Sequence, residues 1–476
     1  MADTQLSPDA AAGALAERVL ARMQAAGGFP ALESAIGQIV AAIEDGGDDS
    51  HKVANAVLSD VALTQKVLRL ANSAMYAVFT RGVTTVTHAV MVLGSKAVGH
   101  LALGAKVIGS LSQEAAGADD AQQQLAQSLL AGAVAGAVAA RLTVPNREEG
   151  VVCSLLNRLG KLLVAYYLPE EWRRIGKFVK AGRSEAEAVG SVLGVEFATL
   201  GVCVAEHWRL PATIVATLRP EPESGPDPSD WLGAVVHFAN RAAAAIRAGN
   251  GEGPDGAATQ RALAALAERY APTVGLDADD LIASVRTAVE QTNAEPALAS
   301  LLLETPTRQS KPPDSQKLLR EGLADIAQMR NEGCTHAEVV EMVVELIYTA
   351  LGLARIALFV RDPRQQAYRV RVSLAASEHD GLADVTLPEA FSQDVAHAAL
   401  SNRVDIYIDN PRDHRIAGKL TPWIQAHEPH PFFLLPLVRG KTAFGLLFGQ
   451  QGDDLVLDLD ELLLIKALRD LLTPTD

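Results

Sequence analysis

The chain reads as two parts of different class, an all-helical region followed by a smaller α/β domain. Three observations predict this. From Ala31 to Gln291 the apolar residues recur three and four apart, the spacing of helices with one buried face. Thr305 to Ser315 (TPTRQSKPPDS) carries three prolines and almost nothing apolar, which is the composition of a linker. Beyond Leu353 the period shortens towards two, as in Val404-Asp405-Ile406-Tyr407-Ile408. The expected organisation is a helical extension over 1–27, a helical domain over 28–303, a linker over 304–316 and a second domain over 317–476.

Composition narrows the function classes. At 476 residues with 49% hydrophobic and 21% charged residues, the chain is globular. No run approaches the roughly 18 apolar residues of a spanning helix, so no membrane association is expected. Met1-Ala2-Asp3-Thr4 lacks the basic-then-apolar profile of a secretory signal. Cys153, Cys203 and Cys334 lie far apart and read as reduced thiols. A cytoplasmic protein is expected. The net charge of −15 argues against general nucleic-acid binding, which needs a basic face.

In chain order, Leu32, Ile36, Ile39, Val40 and Ile43 mark a first amphipathic helix, and Gly46 to Ser50 a turn. Ser59-Asp60 opens a further helix carrying Leu63, Val67, Leu68 and Leu70. Gln122 to Leu142 is a long helix of small residues, suited to close helix contacts. Pro145-Asn146-Arg147 is a loop. From Val151 to Tyr167 the chain is apolar and helical, with Gly160-Lys161 expected to break it. Glu170 to Val179 is helical, and Ser184 caps the next helix. Pro220 to Ser229 and Gly249 to Gly256 are breaks around a helix over Trp231–Arg247, and helices follow at Gln260–Tyr270 and Ala278–Gln291. Ser315 to Leu351 is amphipathic, one helix broken near Gly333 or two. Arg355–Arg361 and Ala367–Val372 read as strands turning at Asp362-Pro363. Phe432–Leu437 and Ala443–Phe448 read as a hairpin, and Leu459–Leu472 as a closing helix.

Two resemblances follow from these blocks. Ser59-Asp60-Val61-Ala62-Leu63-Thr64, Leu68-Arg69-Leu70-Ala71-Asn72-Ser73-Ala74-Met75-Tyr76 and Thr84 to Gly94 resemble, in order, the signature of the HDOD domain. The stretch Ser154-Leu155-Leu156-Asn157-Arg158-Leu159-Gly160-Lys161-Leu162 resembles the Leu-Leu-His-Asp-Ile-Gly-Lys-Leu segment of the HD metal-dependent phosphohydrolases. HDOD domains are all-helical bacterial signalling relatives of those enzymes that have usually lost the catalytic pattern. The later order of helix, strands, helix, strand pair and helix, with Pro436 to Phe448 as hairpin, resembles a GAF domain. That resemblance implies a central antiparallel sheet and a sensor role.

The HD resemblance also locates where metal ligands would stand. The family's first His is met by Gln127, its His-Asp pair by Asn157-Arg158, and a later His by Phe197. The His pair after a Leu-Pro block is met by Arg219-Pro220, and the late Asp by Asn240. A neutral amide is a poor ligand for a transition metal and a guanidinium is none. No metal and no cofactor are therefore expected, and the chain is read as no enzyme. These positions form either a satisfied polar cluster or a pocket in which Arg158 hooks a phosphate or carboxylate.

In the GAF-like part, Asp405 to His414 is the loop expected to cover a pocket, with Asp405, Tyr407, Asp409 and His414 as candidates. His379-Asp380 is read as coincidence, and His414, His427 and His430 as at most an incidental metal cluster. No phosphate-cradling glycine motif and no GxSxG is present. The leading reading is a non-catalytic regulatory protein. Its HDOD part binds a signalling partner, and its GAF-like part senses a small molecule or cyclic nucleotide, or dimerises. Homodimerisation is expected through Leu318, Leu319, Leu323, Ile326 and Met329. The alternative is a cyclic-dinucleotide or other nucleotide receptor using the degenerate pocket, and a third reading is a metal-dependent phosphohydrolase with replacement ligands.

Overall fold

Helices dominate up to residue 294, in the places where apolar spacing puts them. A computed structural model describes residues 8–25, 29–44, 50–73, 75–76, 79–80, 82–111, 119–222, 224–249, 253–294, 311–375, 381–426, 430–451 and 457–473. The expected turn at 46–49, the proline-rich 305–310, part of the glycine loop at 250–252, His379-Asp380, His427 and the side chain of His51 lie outside the described residues.

The helices are α1 (Pro8–Ala25), α2 (Phe29–Glu44), α3 (Ser50–Leu58), α4 (Val61–Ala71), α5 (Val86–Leu93), α6 (Ser95–Leu111), α7 (Asp119–Ala139), α8 (Glu149–Leu156), α9 (Leu159–Tyr167) and α10 (Pro169–Lys180). They continue as α11 (Glu185–Leu193), α12 (Phe197–His207), α13 (Ala212–Leu218), α14 (Trp231–Ala248), α15 (Ala257–Val274) and α16 (Ala278–Ala294). The described residues fall into two compact units. One is drawn from Met1–Val53, Arg69–Gly82 and Val92–Thr305, the other from Ala54–Leu68, Val83–Met91 and Pro306–Asp476.

In the first unit α7 is central, packed on α8, α14 and α16. Its small residues make this possible: a Cβ on Gly136 would lie 2.3 Å from the Met75 carbonyl oxygen. Ala131, Val134, Ala135 and Val138 are buried in these contacts. Among the described residues no single helix is long and apolar enough to cross a membrane. Local chemistry ends the helices as expected. Ser184 and Glu187 close a capping box on α11, and Gly194 terminates it at φ 77°.

One boundary differs from the sequence expectation. The interruption between α8 and α9 falls on Asn157-Arg158, whereas Gly160-Lys161 lies inside α9. Gly160 is there for space. A Cβ on it would sit 1.9 Å from the Phe197 carbonyl oxygen, where α9 crosses α12. The consequence is positional: Asn157 and Arg158 occupy the corner, where neither side chain is committed to a helix face.

The second unit carries a six-stranded antiparallel sheet of order β3-β2-β1-β6-β5-β4, with β1 (Arg355–Asp362), β2 (Ala367–Ala375), β3 (Thr386–Pro388), β4 (Ile406–Ile408), β5 (Phe432–Arg439) and β6 (Thr442–Gln450). The expected hairpin is β5–β6, turned at Gly440 with φ 62°. Ser315 to Leu351 forms two helices, α17 (Ser315–Asn331) and α18 (His336–Leu351). Gly333 separates them at φ 101°, and Thr335 caps the second with Glu338. The remaining helices are α19 (Val395–Asn402), α20 (His414–Ala417), α21 (Pro422–Gln425) and α22 (Leu459–Leu471).

One sheet face buries Phe359, Phe432, Leu434 and Phe448 against Val395, Ala399 and Ile424. Strand β4 is shorter than the alternation of 404–408 suggested, and Val404 is exposed. Within this unit the buried Glu345 of α18 takes the N-terminus of α5. Its Oε2 accepts from Thr87 N at 3.0 Å and Thr87 Oγ1 at 2.7 Å, and Oε1 accepts from Val86 N. His88 Nδ1 meets Asp325 Oδ2 at 2.8 Å, and Thr84 Oγ1 donates to the same oxygen at 2.7 Å.

Candidate functional site

All six positions singled out by the ligand pattern, Gln127, Asn157, Arg158, Phe197, Arg219 and Asn240, line one cavity of about 1080 Å³ in the first unit. Helix α7 supplies Gln127 and, one turn earlier, Gln124. The α8–α9 corner supplies Asn157 and Arg158, and α9 adds Lys161. Phe197 opens α12, Arg219 follows α13, and Asn240 comes from the middle of α14.

The amides are partly committed to structure. Asn157 Nδ2 donates to the Thr217 carbonyl at 2.5 Å. Asn240, 7% exposed, donates Nδ2 to Ser154 O at 3.1 Å and Val236 O at 3.0 Å, while among the described residues its buried Oδ1 has no partner. Arg158 Nη2 donates to Gln124 Oε1 at 2.6 Å, and among the described residues its buried Nε has no partner. Among the described residues no carboxylate lies within ion-pair distance of Arg158. Burial pushes its pKa down to about 10, which leaves it cationic at neutral pH. Burial, then the Arg158 charge, also lowers Lys161, which pairs with Glu185 and sits 5.7 Å from the Phe197 ring centroid and 5.9 Å from that of Trp172.

Eight Lys and Arg side chains line the cavity against two Glu, in a chain whose net charge is −15. Both Glu are taken, Glu185 by Lys161 and Glu221 by Arg241 and Arg269. Arg173, Lys177 and Lys180 contribute from α10, spaced so that they share a helix face. The sequence reading did not include these residues, nor Gln124, Lys161 or Arg247. The four- and three-residue spacing of the α10 cations was the signal available for that helix.

The residues present do not fit a divalent metal of the HD type. Two of the six positions are guanidiniums that repel a cation, one is a phenyl ring, and two of the amides already donate to carbonyls. Among the described residues no group of three or more His, Cys, Asp or Glu is placed to hold a metal.

The second unit brings its four candidates to no comparable cavity among the described ones. Asp405 is held by Arg469 at 2.9 Å and Lys466 at 3.0 Å. Tyr407 lies against Phe433, ring centroids 6.4 Å apart, and Asp409 caps the Asn410 N–H. The His414 side chain is 91% exposed. On the sheet face beneath α21, Trp423 packs on Phe448 at 4.7 Å and on Phe359 at 5.6 Å. A smaller cavity of about 330 Å³ lies beside Arg403, Leu437, Gly440 and Arg469 and contains none of the four.

With this geometry in hand, the comparisons are specific. Residues 29–222 match the HDOD domain family. No curated protein matches the chain. Among solved structures, an HDOD domain protein of Geobacter sulfurreducens is 21% identical, covering 57% of this chain and 92% of its own, at a TM-score of 0.46. The GAF domain of an Acinetobacter phosphoenolpyruvate-protein phosphotransferase is 17% identical over 32% of this chain and 88% of its own, at 0.27. The corresponding domain from Coxiella burnetii is 17% identical over 33% and 91%, at 0.28.

The chain therefore carries an HDOD domain at residues 29–222, followed by a GAF-like α/β domain. The HDOD domain supports a role in signal transduction or regulation. Asn240, Arg241 and Arg247 lie beyond the matched residues and still line the cavity.

Proposed function

We propose that the chain is a non-catalytic regulatory protein. Its HDOD domain is a scaffold for a signalling partner protein, and its GAF-like domain senses a small molecule or joins two copies of the chain. One observation carries the non-catalytic reading: at every position where an HD hydrolase would hold its metal, this cavity presents an amide, a guanidinium, a phenyl ring or a proline. Metal-assisted hydrolysis needs a Lewis acid and an activated water, and this lining supports neither.

Metal content and nucleotide hydrolysis, measured on one purified sample, test this. The expected result is neither bound metal nor turnover. Stoichiometric iron or manganese with hydrolysis would overturn it.

Pairing of two copies is supported by α22, which packs against α17 and leaves Leu459 and Leu463 71% and 57% exposed, one turn apart. The expected stripe on α17 is partly used inside the chain, because Leu319 and Ile326 are buried. Sedimentation showing a monomer at high concentration would remove the dimer. A second reading, a nucleotide receptor, is favoured by the cationic lining of the cavity.

A further inference from the structure

We infer that the first-unit cavity binds a phosphorylated small ligand of nucleotide type, with Arg158 seizing the phosphate and Asn240 Oδ1 accepting a hydrogen bond from a hydroxyl or amino group of the same ligand. This rests on reading the cavity as a binding site without catalysis.

Where an HD enzyme has an acidic ligand carrying a metal cation, this chain has Arg158, itself a cation. Phosphate charge that a metal would otherwise neutralise is met directly by a side chain. Arg158 is a buried charge without a described carboxylate, and such a charge is costly unless something anionic completes it. Among the described residues its Nε has no partner, while Nη2 is steadied by Gln124. The guanidinium is thus oriented, and its buried Nε is a donor that no described residue satisfies, a need that an oxyanion would meet.

The second observation is independent of charge. Asn240 is more than nine-tenths buried and lines the same cavity; its Nδ2 serves two main-chain carbonyls, and among the described residues its Oδ1 has no partner. A buried acceptor calls for a donor, and a bare phosphate at neutral pH offers few. A ligand that completes both groups carries a phosphate and a neutral donor.

Size and wall agree. The cavity, about 1080 Å³, slightly exceeds the usual small-ligand pocket of about 300–1,000 Å³ and has room for a nucleotide. Besides Arg158, the cations Arg173, Lys177, Lys180 and Arg247 have no described carboxylate partner. That surplus exceeds what a single carboxylate needs and matches a diphosphate.

Calorimetric titration of the full chain with ADP, inorganic pyrophosphate and adenosine tests this. ADP is expected to bind, pyrophosphate at least tenfold more weakly, and adenosine below detection. Arg158→Met is expected to weaken ADP at least tenfold and Arg158→Lys at least threefold, with folding of both checked by circular dichroism. Arg261→Gln, an exposed α15 residue outside the cavity, should change affinity less than threefold.

No binding of ADP overturns the inference. So does an Arg158→Met affinity within twofold of wild type, which places the anion on the rim only, and so does pyrophosphate binding as tightly as ADP. Release of phosphate from ADP would leave the binding intact and overturn the non-catalytic reading instead.

Discussion

Gly160 and the carbonyl oxygen of Phe197 approach so closely that a single added carbon on Gly160 would lie 1.9 Å from that oxygen. The obstacle is backbone, with Gly201 N only 2.8 Å from the same added carbon, so no flexible side chain can give way. This crossing of α9 on α12 sets the distance between Arg158, two residues earlier, and Phe197, which share the cavity.

Gly160→Ala should therefore separate α9 from α12. Overpacking of this kind costs about 1–3 kcal/mol and more against rigid backbone. The expected outcome is a lower midpoint in denaturant unfolding with weaker ADP binding. A wild-type midpoint would show that the crossing relaxes easily.

Arg158 should add little to stability by itself. Replacing a buried, unpaired charge by an apolar side chain of similar length is often neutral or stabilising. Arg158→Met loses the charge-assisted hydrogen bond to Gln124, about 1.5–3 kcal/mol, and gains comparable relief from desolvation. Thermal melts without ligand should show a midpoint equal to or above wild type. A large drop would mean the guanidinium holds the fold.

His100 is fully buried, and among the described residues neither ring nitrogen has a partner. Burial is the main reason its pKa falls from 6.5 to about 4; Lys96 pushes the same way and Glu149 opposes. The unfolded chain then binds the extra proton between these values. The stability contribution is complete above the unfolded pKa of 6.5 and is lost as pH falls towards 4, by up to about 3 kcal/mol. His100→Phe should flatten that part of the first unit's stability profile over this range.

Glu345 has the opposite sign. Burial raises its pKa from 4.5 to about 7 against the hydrogen bonds from Thr87 and Val86. Its stability contribution is complete below the unfolded pKa of 4.5 and is lost as pH rises through 7, again by up to about 3 kcal/mol. In the second unit, Glu345→Gln should abolish this slope between those values. An unchanged pH profile would show that Glu345 stays ionised when buried.

The sequence by itself determined the elements and the ordered frame. Helical spacing, the Ser184 cap, the break near Gly333 and the β5–β6 hairpin are local, because each is set by residues within a turn or two of one another. Ordered motif blocks also located Gln127, Asn157, Arg158, Phe197, Arg219 and Asn240 before any geometry was known.

Only the tertiary structure decided what those residues face. Arg173, Lys177 and Lys180 share a helix face in any reading of α10, but packing turns that face towards Arg158 rather than away. The place of the α8–α9 corner was likewise misread, because Gly160 answers to the Phe197 backbone and not to its own helix. Strand β3, three residues long, is too short to show a period and exists through its pairing with β2. Periodicity records which side of an element avoids water. Which polar groups meet across a cavity depends on how distant segments cross, and that is a non-local property of the packed chain.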